Sequence, residues 1–156
     1  MSESKILHTE VMELRATPDE VREFILTPAR ILDYYPDPVD GGVLEAGRAI
    51  WCRGGNGVSM LETVPDECSD DCLVIKVSTA FGLTPPFTRE RIEAACTFTM
   101  VEDWALAATA TGTTLTKTWR DVTANGEVPF PLEDAVREGA KHESASLIEG
   151  WNTAAR

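Results

Sequence analysis

Hydrophobic and polar residues recur along this chain with two different periods, and the change of period marks out its elements. Over residues 131–151, Leu132, Val136, Ala140, Leu147 and Trp151 return to one side at about 100° per residue, with the small Gly139 and Gly150 between them. That predicts a long helix with one apolar face. Asp134, Arg137, Glu138, Lys141, Glu149 and Asn152 take the opposite side, where Glu133 and Arg137 form an i, i+4 pair. Pro131 suits the first turn, and Glu133 and Asp134 complement the positive end of the helix dipole. One residue breaks the pattern. Glu143 projects onto the middle of the apolar stripe, where a bare carboxylate is costly and needs a partner.

Upstream the period falls to two. Residues 6–15 read as a first strand, followed by Thr17 as N-cap, Pro18 at the first helical position and Glu20 as the capping-box partner. The helix they start carries Val21, Phe24 and Ile25 on one face and stops near Thr27 and Pro28, with a second short helix expected over 29–34. Pro36, Asp37, Pro38, Asp40, Gly41 and Gly42 predict a loop. Six strands follow, over 44–53, 58–64, 72–80, 89–101, 104–109 and 114–122, separated by turn signals that include Gly54-Gly55-Asn56-Gly57 and a tight turn at Glu102-Asp103. Alternation sets Leu73, Ile75, Val77 and Thr79 inward against Val74, Lys76 and Ser78. It likewise sets Ile92, Ala94, Cys96, Phe98 and Met100 inward against Arg91, Glu93, Thr97 and Thr99. In the last strand Thr114, Thr116, Thr118 and Arg120 look outward, so Leu115, Lys117 and Trp119 look inward. Residues 81–88 read as a rim loop or an inert connection.

Composition narrows the class. A chain of 156 residues with 43% hydrophobic residues is expected to form a single domain, 1–156, with a proper core. A formal charge of -12 argues against nucleic acid or an anionic membrane surface as partner. There is no basic and apolar leader and no apolar run near the roughly 20 residues that span a bilayer, so no integral membrane segment is expected and the cytoplasm is the expected compartment. Cys52, Cys68, Cys72 and Cys96 are read as reduced thiols. They lie far in sequence from the only histidines, His8 and His142, and no metal site is expected. The glycine run at 54–57 lacks the lysine and strand-to-helix context of a phosphate loop, and no cofactor is expected. Oligomeric state stays open.

One strand, two short helices, six antiparallel strands and a long amphipathic helix define an α+β fold, a seven-stranded curved antiparallel sheet wrapped around the C-terminal helix. With Ala16-Thr17-Pro18-Asp19-Glu20-Val21 after the first strand, Asp33-Tyr34-Tyr35-Pro36, and Gly112-Thr113-Thr114-Leu115-Thr116 before the last, the chain resembles the START-like (SRPBCC) superfamily. This is the helix-grip fold of polyketide cyclases/dehydrases, lipid-transfer domains and the Bet v 1 allergens. The resemblance covers nearly the whole chain and implies an apolar cavity between sheet and helix that takes a small hydrophobic ligand, lipid or polyketide-like.

Two further readings stay open: a cofactor-free polyketide cyclase or dehydratase, and a protein-interaction module of the Hsp90-ATPase-activator type. Glu143 with Lys117 across from it, and Tyr34, are the candidate catalytic groups, the carboxyl moving protons and Lys117 or Tyr34 stabilising an enolate oxygen. A purely structural ion pair is the simpler reading of the same two charges. Trp51, Arg53, Phe98, Trp119 and Leu147 are the candidate ligand-binding residues. The indoles suit a flat apolar ligand, and Arg53, which shares the face of Trp51, suits an acidic group on it or solvent at the strand end. His142 is expected on the flank of the helix and His8 exposed at one end of the first strand.

Overall fold

The computed structural model describes residues 5–26, 38–45, 48–53, 57–84, 88–128 and 130–154. β1 (Ile6–Leu14) leads into α1 (Pro18–Leu26), and β2 (Pro38–Glu45), β3 (Arg48–Arg53), β4 (Gly57–Thr63) and β5 (Cys72–Phe81) follow. A short α2 (Arg89–Ala94), β6 (Cys96–Ala108), β7 (Thr113–Ala124) and the long α3 (Leu132–Ala154) complete the order. All neighbouring strands are antiparallel in one sheet of order β1-β7-β6-β5-β4-β3-β2, so the first strand closes beside the last. Register shifts at Ile6/His8, Val39/Gly42, Thr79/Ala80 and Thr99/Val101 are the bulges that let such a sheet bend. α3 lies across β1 and β7 on the inner face.

The α1 start has a local cause. The Glu20 N–H donates to Thr17 Oγ1 at 3.2 Å and the Thr17 N–H to Glu20 Oε1 at 3.4 Å, a reciprocal capping box, and Val21 is then fully buried. The Gly112-Thr113 pair ties the start of β7 to this corner. A Cβ on Gly112 would stand 2.0 Å from the Leu14 carbonyl oxygen, so only glycine permits the approach. Thr113 Oγ1 then donates to the Ala16 carbonyl at 2.6 Å.

Two apolar clusters fill the inner side. Met12, Leu14, Val21, Leu61, Leu73, Ile75, Val77, Trp104, Leu106 and Leu115 form the larger, while Phe98, Trp119, Val136 and Ala140 form a second against α3. Each fully buried large side chain contributes roughly 1.5–3 kcal/mol by leaving water.

Several sequence expectations are corrected. Residues 89–94 are helical rather than extended. Thr88 caps them by accepting the Arg91 N–H at 3.3 Å, and Arg89 pairs with Glu93 at 2.8 Å with i, i+4 spacing, so local capping outweighs an alternation that rested on Ile92 and Ala94. Ile92 is buried all the same, but Ala94 is exposed. There is no turn at Glu102-Asp103, because β6 runs straight through it. The span 44–53 divides into β2 and β3, and the expected loop at Pro38 to Gly42 belongs to β2, its two glycines beside a bulge. Val74 and Ser78 are buried rather than solvent-facing. α2 packs on β4 and β5, the strands that carry Met60 and Ser78 opposite each other, with Arg89 reaching Glu62 at 3.1 Å. Val74 lies beside the turn Pro65–Glu67, its N–H donating to Cys68 Sγ at 3.3 Å. Gly139, expected on the apolar side of α3, is exposed. The second short helix at 29–34 lies outside the described residues.

Candidate functional site: a charged node on the inner sheet face

Strand register assembles the site from residues far apart in sequence. Glu10, Lys117, Trp104 and Leu73 stand opposite one another across β1, β7, β6 and β5, and His8, Trp119, Glu102 and Ile75 form the next row. Opposed residues of an antiparallel ladder share a face. Both rows therefore carry charges into a face that is otherwise apolar, and they separate Met12, Leu115 and Leu106 on one side from the Phe98 cluster on the other.

Lys117 is the centre. Its side chain is 1% exposed, and Nζ lies 3.2 Å from Glu143 Oε2 and 3.3 Å from Glu102 Oε1. It also stands 3.8 Å from the ring centroid of Trp104 and 4.5 Å from that of Trp119. Carboxylates and indole faces thus take the place of water around a buried ammonium, the arrangement that makes its burial tolerable. The Trp119 ring in turn meets His8 at 5.7 Å between centroids, and His8 Nε2 is paired with Glu10 Oε2. On α3, Ser144 follows Glu143 and is also buried. Trp104 Nε1 and Ser144 Oγ are buried without a hydrogen-bond partner among the described residues.

The inner placement of Lys117 and Trp119, and the position of Glu143 facing Lys117, agree with the sequence reading. Phe98 is buried in the cluster under α3, 7% exposed, and its ring lies 6.2 Å from that of Phe81. Trp51 and Arg53 belong to β3, where Trp51 pairs with Ser59, and Leu147 belongs to α3; the side chains of all three lie outside the description, and Tyr34 lies wholly outside the described residues. His142 is exposed. His8 is a correction: its side chain is only 17% exposed and faces inward, because the period of β1 puts it in phase with Met12 and Leu14. Glu102 and Glu10 were missed. The signal for Glu102 was present, since Phe98, Met100, Glu102, Trp104 and Leu106 keep one unbroken period of two, and the apparent turn at 102–103 hid it.

Away from the node, β6 and β7 carry a second charge cluster on the outer face. Arg120 donates to Asp103 at 2.7 and 3.1 Å and to Asp121 at 2.7 Å, and the hydrogen bond to Asp103 holds its guanidinium pKa above the usual arginine value. This cluster braces the strands. Among the described residues no helix is long and apolar enough to cross a membrane.

No family model matches the sequence, and no curated protein matches it. Solved structures do share its fold. An uncharacterised protein from Rhizobium leguminosarum superposes with a TM-score of 0.64 at 14% identity, over 94% of this chain and 93% of that one. DynU16, from the dynemicin biosynthetic locus, superposes with a TM-score of 0.51 at 17% identity, over 97% of this chain and 49% of its own. A START superfamily protein from Mycobacterium smegmatis gives a TM-score of 0.63 at 12% identity, over 94% of this chain and 97% of the other. At these identities the likeness concerns the fold, and the fold of this chain, a curved antiparallel sheet closed by a C-terminal helix, is START-like.

Proposed function

We propose that this domain binds a small hydrophobic ligand, lipid or polyketide-like, in a cavity between the sheet and α3. The observation that carries the reading is the node itself: a buried ammonium, two carboxylates and two indole rings gathered on the inner face beneath the long helix. A domain that only needed a core would be as stable or more so with apolar residues there, since burying charges costs several kcal/mol per ion. A few polar groups in an apolar, aromatic setting are what a small-molecule site uses to fix orientation. The START-like fold is compatible with the same use.

A cofactor-free cyclase or dehydratase is the second reading, favoured by the contact of Lys117 with two carboxylates, which would let a carboxyl move a proton while the ammonium holds an enolate oxygen. Carriage is preferred because it asks only for recognition.

Titration with Nile red, a neutral dye whose emission shifts to the blue in apolar surroundings, tests the reading. One dye per chain should bind with a blue shift, and Trp119→Ala should weaken it about tenfold, since indole burial supplies much of such an affinity. Absence of a saturable shift, or binding untouched by the substitution, would count against it.

A further inference from the structure

We infer that the node selects ligands that present a neutral oxygen, as a ketone, ester or alcohol, and discriminates against carboxylates. The inference rests on the binding reading and adds the chemical class of the polar end. Two observations carry it. Lys117 is the buried cation of the inner face among the described residues, and its Nζ is already in contact with Glu143 at 3.2 Å and Glu102 at 3.3 Å and covered by the Trp104 and Trp119 rings. An incoming carboxylate would meet Glu102, Glu143 and the nearby Glu10 without an ammonium to itself, and a buried anion in that position is repelled.

The second observation concerns donors. Trp104 Nε1 and Ser144 Oγ are 2% and 3% exposed by residue and make no hydrogen bond among the described residues. The Trp104 indole belongs to the node, its ring lying under Lys117 Nζ, whereas Ser144 follows Glu143 on α3 and points about 100° away from it around the helix. A buried N–H without an acceptor costs free energy that a ligand carbonyl or hydroxyl oxygen recovers. A neutral oxygen answers the Trp104 N–H without adding charge.

Displacement of Nile red tests this with three ligands of equal carbon number: methyl decyl ketone, dodecanol and dodecanoate, compared at about pH 8, where the acid is ionised. The ketone and the alcohol should displace the dye at concentrations at least about tenfold below dodecanoate, the discrimination expected when a carboxylate enters a site whose one ammonium is already held by two carboxylates. Trp104→Phe, which keeps the ring and removes the N–H, should weaken the ketone by about two- to tenfold and leave dodecanoate unchanged. Glu102→Gln with Glu143→Gln, which releases the charge of Lys117, should narrow the gap by strengthening dodecanoate. Equal displacement by ketone and carboxylate, or a Trp104→Phe protein indistinguishable from the parent toward the ketone, overturns the inference alone. A protein that binds neither the dye nor any of the three overturns the binding reading and this inference with it.

Discussion

Lys117 Nζ and Glu143 Oε2 lie 3.2 Å apart across the interface between β7 and α3, so the long helix is joined to the sheet by an ion pair as well as by its apolar stripe. Glu102 meets the same ammonium from β6 at 3.3 Å. Helix and two strands therefore converge on one atom, and the stability of the node depends on all three charges being present together.

Removing the ammonium alone should be costly. Lys117→Met leaves Glu102 and Glu143 buried beside a thioether and should lose about 3–5 kcal/mol in urea unfolding, as when one partner of a buried pair is deleted. Adding Glu102→Gln and Glu143→Gln to the same protein should recover most of the loss. A single substitution costing less than about 1 kcal/mol would place the pair in water rather than in the core.

Two glycines should respond with opposite signs. Gly112→Ala forces a Cβ to within 2.0 Å of the Leu14 carbonyl and should cost at least about 2 kcal/mol, because the clash is with backbone that cannot rotate away. Gly139→Ala has nothing within 4 Å of its new Cβ in an exposed turn of α3 and should gain about 0.5–1 kcal/mol. Thermal melts of the two proteins on either side of the parent would bear this out. The reverse order would contradict the close approach at Gly112.

Burial, and then Asp103 and Cys68, push the Cys72 thiol above its ordinary pKa. The folded value then exceeds the unfolded one, so the thiol's contribution to stability is complete below the unfolded pKa and is lost as pH rises through the folded pKa. Stability of the parent relative to Cys72→Ser should accordingly fall between about pH 8 and about pH 10, the range in which an unperturbed thiol ionises. Iodoacetamide should also alkylate Cys72 more slowly in the native protein than in urea. A parallel pH dependence in the two proteins would show the thiol to be unshifted.

What could be read from the sequence depended on whether period and local chemistry agreed. They agreed for α3 and β7, so the pattern alone pairs Glu143 in an apolar stripe with Lys117 between Leu115 and Trp119. They conflicted over 89–103, where Ile92 and Ala94 imitate a strand inside a capped helix and an acidic dipeptide imitates a turn inside β6. That conflict hid Glu102. His8 and Glu10 escaped for another reason: β1 is an edge strand beside β7, and its polar residues look like those of a solvated edge until the register places them against Trp119 and Lys117. The unsatisfied Trp104 N–H is visible only in three dimensions, since pattern locates a side chain on a face but not its hydrogen-bond partners.

The most direct measurement is a two-dimensional proton–nitrogen correlation spectrum, in which each of the four tryptophans gives one indole N–H resonance. Methyl decyl ketone is titrated in, and the Trp104 signal is assigned by its disappearance in Trp104→Phe. That resonance should shift downfield, as an N–H does on gaining a carbonyl acceptor, and should move more than the other three. A Trp104 indole resonance that stays fixed while ketone binds elsewhere, or a spectrum unchanged at saturating ketone, would contradict a ligand site at the Lys117 node.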